Sequence, residues 1–318
     1  LLNKWLLMPL VDPESIRDRH DAVGCLLQDG DLRDSLEESL DGFGDLERLV
    51  AKLPMLKLNP RELKAIGRSL YRVQNIRKLL EKAVCPLINN SRESLDHCPA
   101  LMEKIETSIN DDAPPVINKG GIFKTGFHAE LDELKYILTH SKDLLVEVQR
   151  EEAIRTGITN LKIGYNSVFG YYLEVTNKYK HQDIIPPDWI RKQTMSTGER
   201  YVTEKLKQLE EKILGAEERI TDLEEELFRS FIQEAQAYLV TLQQNARIIA
   251  QTDCLLAFAK QAHQYSYARP EMTESGVIDI REGRHPVIER MLPSGEAYIP
   301  NDILLDRDSQ QVIMITGP

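Results

Sequence analysis

Long apolar runs are missing from this chain. Nowhere do eighteen apolar residues follow one another, so no membrane-spanning helix is expected. Cysteine is scarce, and Cys25, Cys85, Cys98 and Cys254 form neither a C-x-x-C pair nor a Cys/His ligand spacing. That argues against a zinc site and a disulfide framework, and reads as reduced thiols of a cytosolic protein. Positive charge is in deficit, with 40 Lys and Arg against 51 Asp and Glu and a net charge of −11. A surface that is basic all over is excluded, and any contact with nucleic acid has to be local. The opening Leu1-Leu2-Asn3-Lys4-Trp5 lacks an initiator Met, a basic leader and a cleavage site, so no signal peptide is read there. No polar tail follows the apolar residues near Pro318, and both ends are expected to be cuts in a longer protein.

Proline is absent from Glu199 to Gln261, and Gly215 is the only glycine there. Apolar residues recur at Val202, Leu206, Leu209, Ile213, Ala216, Ile220, Leu223 and Leu227, the 4-3 spacing of a helix seam that packs along a partner. An unbroken helix over this stretch would be roughly 90 Å long. Its partner is read upstream, from His128 to Arg155, where Leu131, Leu134, Leu138, Ser141, Leu145 and Val148 repeat the spacing. The acidic runs Glu217-Glu218 and Glu224-Glu225-Glu226 lie off the seam and are expected to be solvated. Gly215 is either a soft point in the helix or a place of close helix packing.

Residues 1–107 read as a helical body. A short apolar helix stops at Pro9, and Asp12-Pro13-Glu14-Ser15 is a helix start with Asp12 as cap. Further helices are expected at Leu32–Leu53, Pro60–Lys82 and Ser91–Asn110. The breaker-rich loop from Asn110 to Phe127 is expected to position the following helix and to carry no chemistry.

Between the two long helices the period changes to two. Leu161, Ile163 and Tyr165 alternate, and Val168-Phe169-Gly170-Tyr171-Tyr172 is strongly β-prone. This small β-rich module holds seven of the chain's twenty aromatics. It carries six basic residues (Lys162, Lys178, Lys180, Arg191, Lys192, Arg200) against four acidic ones, a local inversion of the chain's negative charge. One reading is a capping fold whose aromatics form a core under ordinary surface lysines. The other is a phosphate-contacting pad, in which cations neutralise phosphates and Gln193, Thr194, Ser196 and Thr197 donate hydrogen bonds. Asn166 either caps a turn or donates to phosphate.

Beyond Tyr265 the pattern turns to β/α. Gly276 to Ile280 reads as a strand, and His285, without a ligand partner at useful spacing, as a turn-fixing residue. Gln311-Val312-Ile313-Met314-Ile315 reads as a buried parallel strand running into Thr316-Gly317-Pro318. Only the first glycine of a G-x-x-x-x-G-K-[ST] phosphate loop is present.

Several separate stretches, in order, carry a resemblance. They are Leu1-Leu2 to Trp5-Leu6 with Pro9-Leu10, then Ile16, Arg19 and Asp21-Ala22-Val23, and Gly44 to Leu49. Further along come Asp132-Glu133-Leu134, Gly164-Tyr165-Asn166, Gly170-Tyr171-Tyr172, Arg191 to Tyr201, Glu282 to Val287 and Ile315-Thr316-Gly317-Pro318. Through them the whole chain resembles the bacterial MutS family of DNA mismatch repair proteins. The resemblance implies a mainly α fold: a helical body and two long antiparallel lever helices carrying a small β-rich clamp, followed by the first strands of an α/β ATPase domain. It divides the chain at 1–157 (lever, outgoing arm), 158–203 (clamp), 204–264 (returning arm) and 265–318 (start of the ATPase domain). Arg191, Lys192, Ser196, Thr197, Arg200 and Asn166 then fall in the segment that approaches the DNA backbone. Tyr298 matches an adenine-stacking aromatic, and Thr316, Gly317 and Pro318 the first residues of the phosphate loop. The implied partners are double-stranded DNA containing mismatches, a second copy in a homodimer, and a MutL-type repair protein, in the bacterial cytoplasm beside the nucleoid. ATP or ADP with Mg²⁺ would serve the parent protein. The loop's Lys and Ser/Thr are missing, so no catalytic residue is assigned and neither productive nucleotide binding nor hydrolysis is expected of this chain. The alternative is a coiled-coil arm of a chromosome-organising ATPase, with the tip as a dimerisation hinge.

Overall fold

A computed structural model describes residues 1–179, 184–293 and 295–315. In chain order the elements are α1 (Leu2–Leu7), α2 (Pro13–Gln28), α3 (Gly30–Leu40), α4 (Leu46–Ala51), α5 (Pro60–Leu79), α6 (Pro86–Ser94) and α7 (Pro99–Ser108). There follow α8 (Ala129–Thr139), α9 (Ser141–Thr156), β1 (Lys162–Asn166), β2 (Gly170–Thr176), β3 (Ile190–Thr194), β4 (Gly198–Val202), α10 (Glu204–Ala235) and α11 (Leu239–Tyr265). The chain closes with β5 (Ile278–Gly283), α12 (Pro286–Met291) and β6 (Asn301–Leu305). It is mainly helical, with a small antiparallel sheet, and divides into two compact units: residues 1–38, 79–93 and 250–318, and residues 39–78 and 94–249.

In the first unit, Asp12 caps α2 as its sequence predicts, its carboxylate accepting from Ser15 N at 2.8 Å. Arg19 lies 3.8 Å from the centre of the Trp5 ring, which itself sits near Phe258. Strands β5 and β6 pair antiparallel, Ile278 opposite Leu305 and Ile280 opposite Ile303, before the register shifts towards Gly283 and Asn301. His285 fixes the turn, its Nδ1 accepting from Val287 N (3.3 Å) and Ile288 N (3.2 Å) at the start of α12. Arg284 donates to the carbonyls of Tyr265 (3.1 Å) and Ser266 (2.9 Å) at the end of α11.

The strand expected at Gln311–Ile315 is not formed, and Val312, Met314 and Ile315 are exposed. A buried parallel strand needs partners beside it and a layer over each face. Among the described residues of this region, only the β5–β6 pair makes a ladder.

The second unit is built on a core in which α4, α5 and α7 contribute Leu49, Leu63, Ile66 and Ile105, and α10 contributes Ile220, Leu223 and Phe228. Contact is close enough that a Cβ on Gly67 of α5 would stand 2.8 Å from Ile105. Helix α10 lies antiparallel to α8 and α9. Lys135 meets Glu224 near one end of this contact and Lys205 meets Glu151 near the other.

Five sequence expectations need correction. The long helix starts at Glu204, because Glu199–Val202 belong to β4 and Val202 pairs with Ile190. Thr203 caps the true start, accepting from Leu206 N at 3.1 Å. A short 3₁₀ turn at Gln236–Tyr238 separates α10 from α11. Upstream, the His128–Arg155 helix breaks at His140 (φ −104°, ψ 15°), just before Ser141, a polar residue that favours helix ends over helix interiors. Of the body helices, Pro60–Lys82 forms as predicted, its last three residues as a 3₁₀ turn, while Leu32–Leu53 and Ser91–Asn110 are broken at 41–45 and at 95–98, where Cys98 adopts φ 45° ahead of Pro99. Finally, Glu224 is fully buried (0%) while Glu217, Glu218 and Glu226 are exposed. Its carboxylate accepts from Ile122 N at 3.0 Å and pairs with Lys135 at 2.8 Å, pinning the 110–127 loop to α10.

Candidate nucleic-acid interface

The β-rich module is a four-stranded antiparallel sheet in the order β1-β2-β4-β3. Side chains alternate across it. On one face Leu173, Val175 and Tyr201 join Trp189 in a core closed by Leu145 and Val148 of α9 and Leu206 of α10. Trp189 donates its indole N–H to the buried carboxylate of Glu152, at 3.3 Å. Two glycines are sterically required. A Cβ on Gly164 would stand 2.6 Å from the Tyr172 ring, and one on Gly198 would stand 2.3 Å from the Val175 carbonyl oxygen. Most of the aromatics are thus structural, as a packed module of this size demands.

Arg200 belongs to the other face. Its guanidinium lies 4.4 Å from the centre of the Tyr172 ring, its Nε is 3.4 Å from Glu174, and its Nη1 donates to Gln193 Oε1 at 2.9 Å. With 17% of its side chain exposed, it is bound into the sheet more than presented to solvent.

Strand β3 is the edge, and all five of its residues are exposed. Arg191 pairs with Tyr201 and Gln193 with Arg200, so Lys192 is one residue too many for the ladder. A bulge of this kind bends the strand and leaves the extra residue unpaired. Beneath it, Arg191 Nη1 donates to Glu199 Oε1 at 3.3 Å, and Glu199, 6% exposed, also accepts from the Tyr201 hydroxyl at 2.5 Å. Burial, and then this bond, push the Tyr201 phenol up to about 12. Arg191 is therefore anchored on its inner side while 60% of its side chain remains exposed.

Ser196 and Thr197, both exposed, form the turn between β3 and β4. Asn177 holds that turn from the end of β2, its Nδ2 donating to Ser196 O at 2.7 Å and its backbone N–H to Thr197 O at 3.3 Å. Asn166 is elsewhere. Its Oδ1 accepts from Val168 N at 2.8 Å in the β1–β2 turn, on the far edge strand and at the opposite end of the sheet. The fold brings together Arg191, Lys192, Ser196 and Thr197, leaves Arg200 on the adjoining strand, and separates Asn166.

The bulge has no sequence signal, because Arg-Lys-Gln-Thr offers no alternation from which a register can be read. A rim of exposed cations and hydroxyls on a rigid sheet can neutralise and hydrogen-bond phosphate oxygens without reading a base. Of the candidate nucleotide residues, Tyr298 lies half-buried in the coil before β6, and Thr316, Gly317 and Pro318 fall outside the described residues.

A family model described as MutS domain III matches residues 1–259. The whole chain is 46% identical to the DNA mismatch repair protein MutS of Bacteroides fragilis (strain YCH46), of which it covers 37%. It is 47% identical to the protein of the same name from Cytophaga hutchinsonii, again covering 37%, and 45% identical over 317 residues to that of Salinibacter ruber, covering 35%. The chain therefore spans little more than a third of the length of these curated relatives.

Proposed function

This chain belongs to the MutS domain III family, and on that premise we propose that it grips the phosphate backbone of duplex DNA in mismatch repair through the β3 edge of its sheet. The observation that carries the reading is the bulged, solvent-facing Arg191-Lys192-Gln193-Thr194 edge on a chain whose net charge is −11. Arg191 and Lys192 supply charge, Ser196 and Thr197 supply hydroxyl donors, and Arg200 contributes mainly by stiffening the sheet beneath them. Nothing in this set of side chains distinguishes one base from another, so the contact is independent of sequence and of mismatch.

The sheet stands on α9 and α10, and α10 alone is about 48 Å long at 1.5 Å per residue. In the proposed mechanism these helices act as levers. A nucleotide-dependent domain starting in residues 265–318, where Arg284 holds the end of α11, would bias them. In the longer protein a second copy would close on the same duplex, and a MutL-type protein would act downstream. The 318-residue chain itself is proposed to have no ATPase activity. A dimerisation hinge at the tip would need a self-complementary apolar face, whereas the exposed edge has one apolar residue, Ile190, followed by Arg, Lys, Gln and Thr.

Duplex binding measured against salt tests the reading. A steep fall in affinity with salt is expected, with a slope reduced by about two in the Arg191→Gln/Lys192→Gln double variant. Binding indifferent to salt, or unchanged in the double variant, would refute it.

A further inference from the structure

We infer that Lys178 is a further phosphate-contacting cation of this edge, placed there by the grip of Asn177 on the β3–β4 turn; the inference rests on the reading of β3 as a DNA-backbone contact. Strand β2 ends at Thr176, which pairs with Gly198, so Asn177 lies beside the turn at 195–197 and opens a 3₁₀ turn over Asn177–Tyr179. The two hydrogen bonds from Asn177, at 2.7 and 3.3 Å, fix that adjacency through backbone and side chain together. Lys178 follows immediately and is exposed, its ammonium 5.4 Å from the centre of the Tyr179 ring.

Its charge is available in a way that those of the nearby arginines are not. Arg155 is paired with Asp188, Arg200 with Glu174, and Arg191 with Glu199. Among the described residues Lys178 and Lys192 make no ion pair; Lys192 stands in the bulge of β3, and Lys178 follows the residue that holds the β3–β4 turn. Lys162, also exposed, lies on the opposite edge strand. A paired arginine must share its field with a carboxylate, whereas an unpaired lysine offers its full charge to a phosphate. A backbone laid along β3 and the turn would therefore meet Arg191, Lys192, Ser196 or Thr197, and then Lys178.

The test uses the 318-residue chain and a perfectly paired duplex of about three helical turns, with affinity measured across a range of salt. Lys178→Gln should weaken binding roughly 3- to 10-fold at moderate salt and lower the salt slope by about one, while Lys178→Arg keeps both. Thermal unfolding of all variants should be unchanged, since Lys178 supports no described contact beyond the ring beside it. Wild-type affinity and slope in Lys178→Gln, alongside weakened binding in Arg191→Gln/Lys192→Gln, would overturn this inference and leave the β3 reading standing. Loss of effect in both variants, or no binding by the wild-type chain at low salt, would overturn the two together.

Discussion

Arg191 and Arg200 sit on neighbouring strands, yet their surroundings give them different tasks. Arg200 is enclosed by Tyr172, Glu174 and Gln193, so its loss is felt first as stability. Arg200→Ala should destabilise the chain by roughly 1–2 kcal/mol, measurable by urea unfolding, because it removes a cation–π contact and two hydrogen-bonded partners. Arg191→Ala should leave stability within about 0.5 kcal/mol, since an exposed ion pair contributes little, and should act on DNA binding. Tyr201 yields a pH prediction. Its folded-state pKa, about 12, lies above the ordinary value of 10, so its contribution is fully present below pH 10 and is lost as pH rises through 12. Alkaline unfolding of the wild type should show this loss between pH 10 and 12, and Tyr201→Phe should lack that part of it. Neither the anchoring of Arg191 nor the late ionisation of Tyr201 was legible in the sequence, because both depend on a cross-strand register that the polar run of β3 conceals.

At the scale of elements, α10 shows what periodicity reveals and what it hides. The seam was readable: Leu206, Ala216, Ile220 and Leu223 are buried as expected, and Leu209, Ile213 and Leu227 are half-buried. Periodicity placed the helix start five residues too early, because Val202 keeps the 4-3 spacing with Leu206 although it lies in β4. It also misread Glu224, which stands next to the seam but is covered by the 110–127 loop, a tertiary contact that no local pattern encodes. Glu224→Ala should cost roughly 2–4 kcal/mol by thermal or urea unfolding, as it strips the partner from Lys135 and the acceptor from the Ile122 amide. Gly215 is resolved in the other direction. A Cβ there would meet nothing within 4 Å, so close packing does not require glycine. Gly215→Ala should stabilise the chain by roughly 0.5–1 kcal/mol, the ordinary helix gain. If softness at Gly215 matters to the levers, the same variant should alter their coupling in the longer protein while leaving the grip of the sheet on DNA intact.

For the whole molecule, the order of helical stretches and β-rich sheet along the chain was legible because each depends on the period of its apolar residues and on Pro and Gly punctuation. The tip's positive balance was legible too, but the geometry that divides its cations into anchored, enclosed and free was not. The resemblance grouped Asn166 and Arg200 with Arg191; the register put Asn166 at the opposite corner of the sheet and enclosed Arg200 on its outer face. The same scale holds the enzymatic expectation: a clean preparation of the chain should show no ATP turnover, and measurable hydrolysis that co-purifies with it would refute that. Most direct is duplex binding by this chain across a range of salt, with perfectly paired and mismatched DNA side by side, for the wild type and Arg191→Gln/Lys192→Gln. The β3 reading predicts equal affinity for the two duplexes and a steep salt dependence that drops by about two units of slope in the double variant. A preference for the mismatch, or a slope that the double variant leaves unchanged, would contradict it.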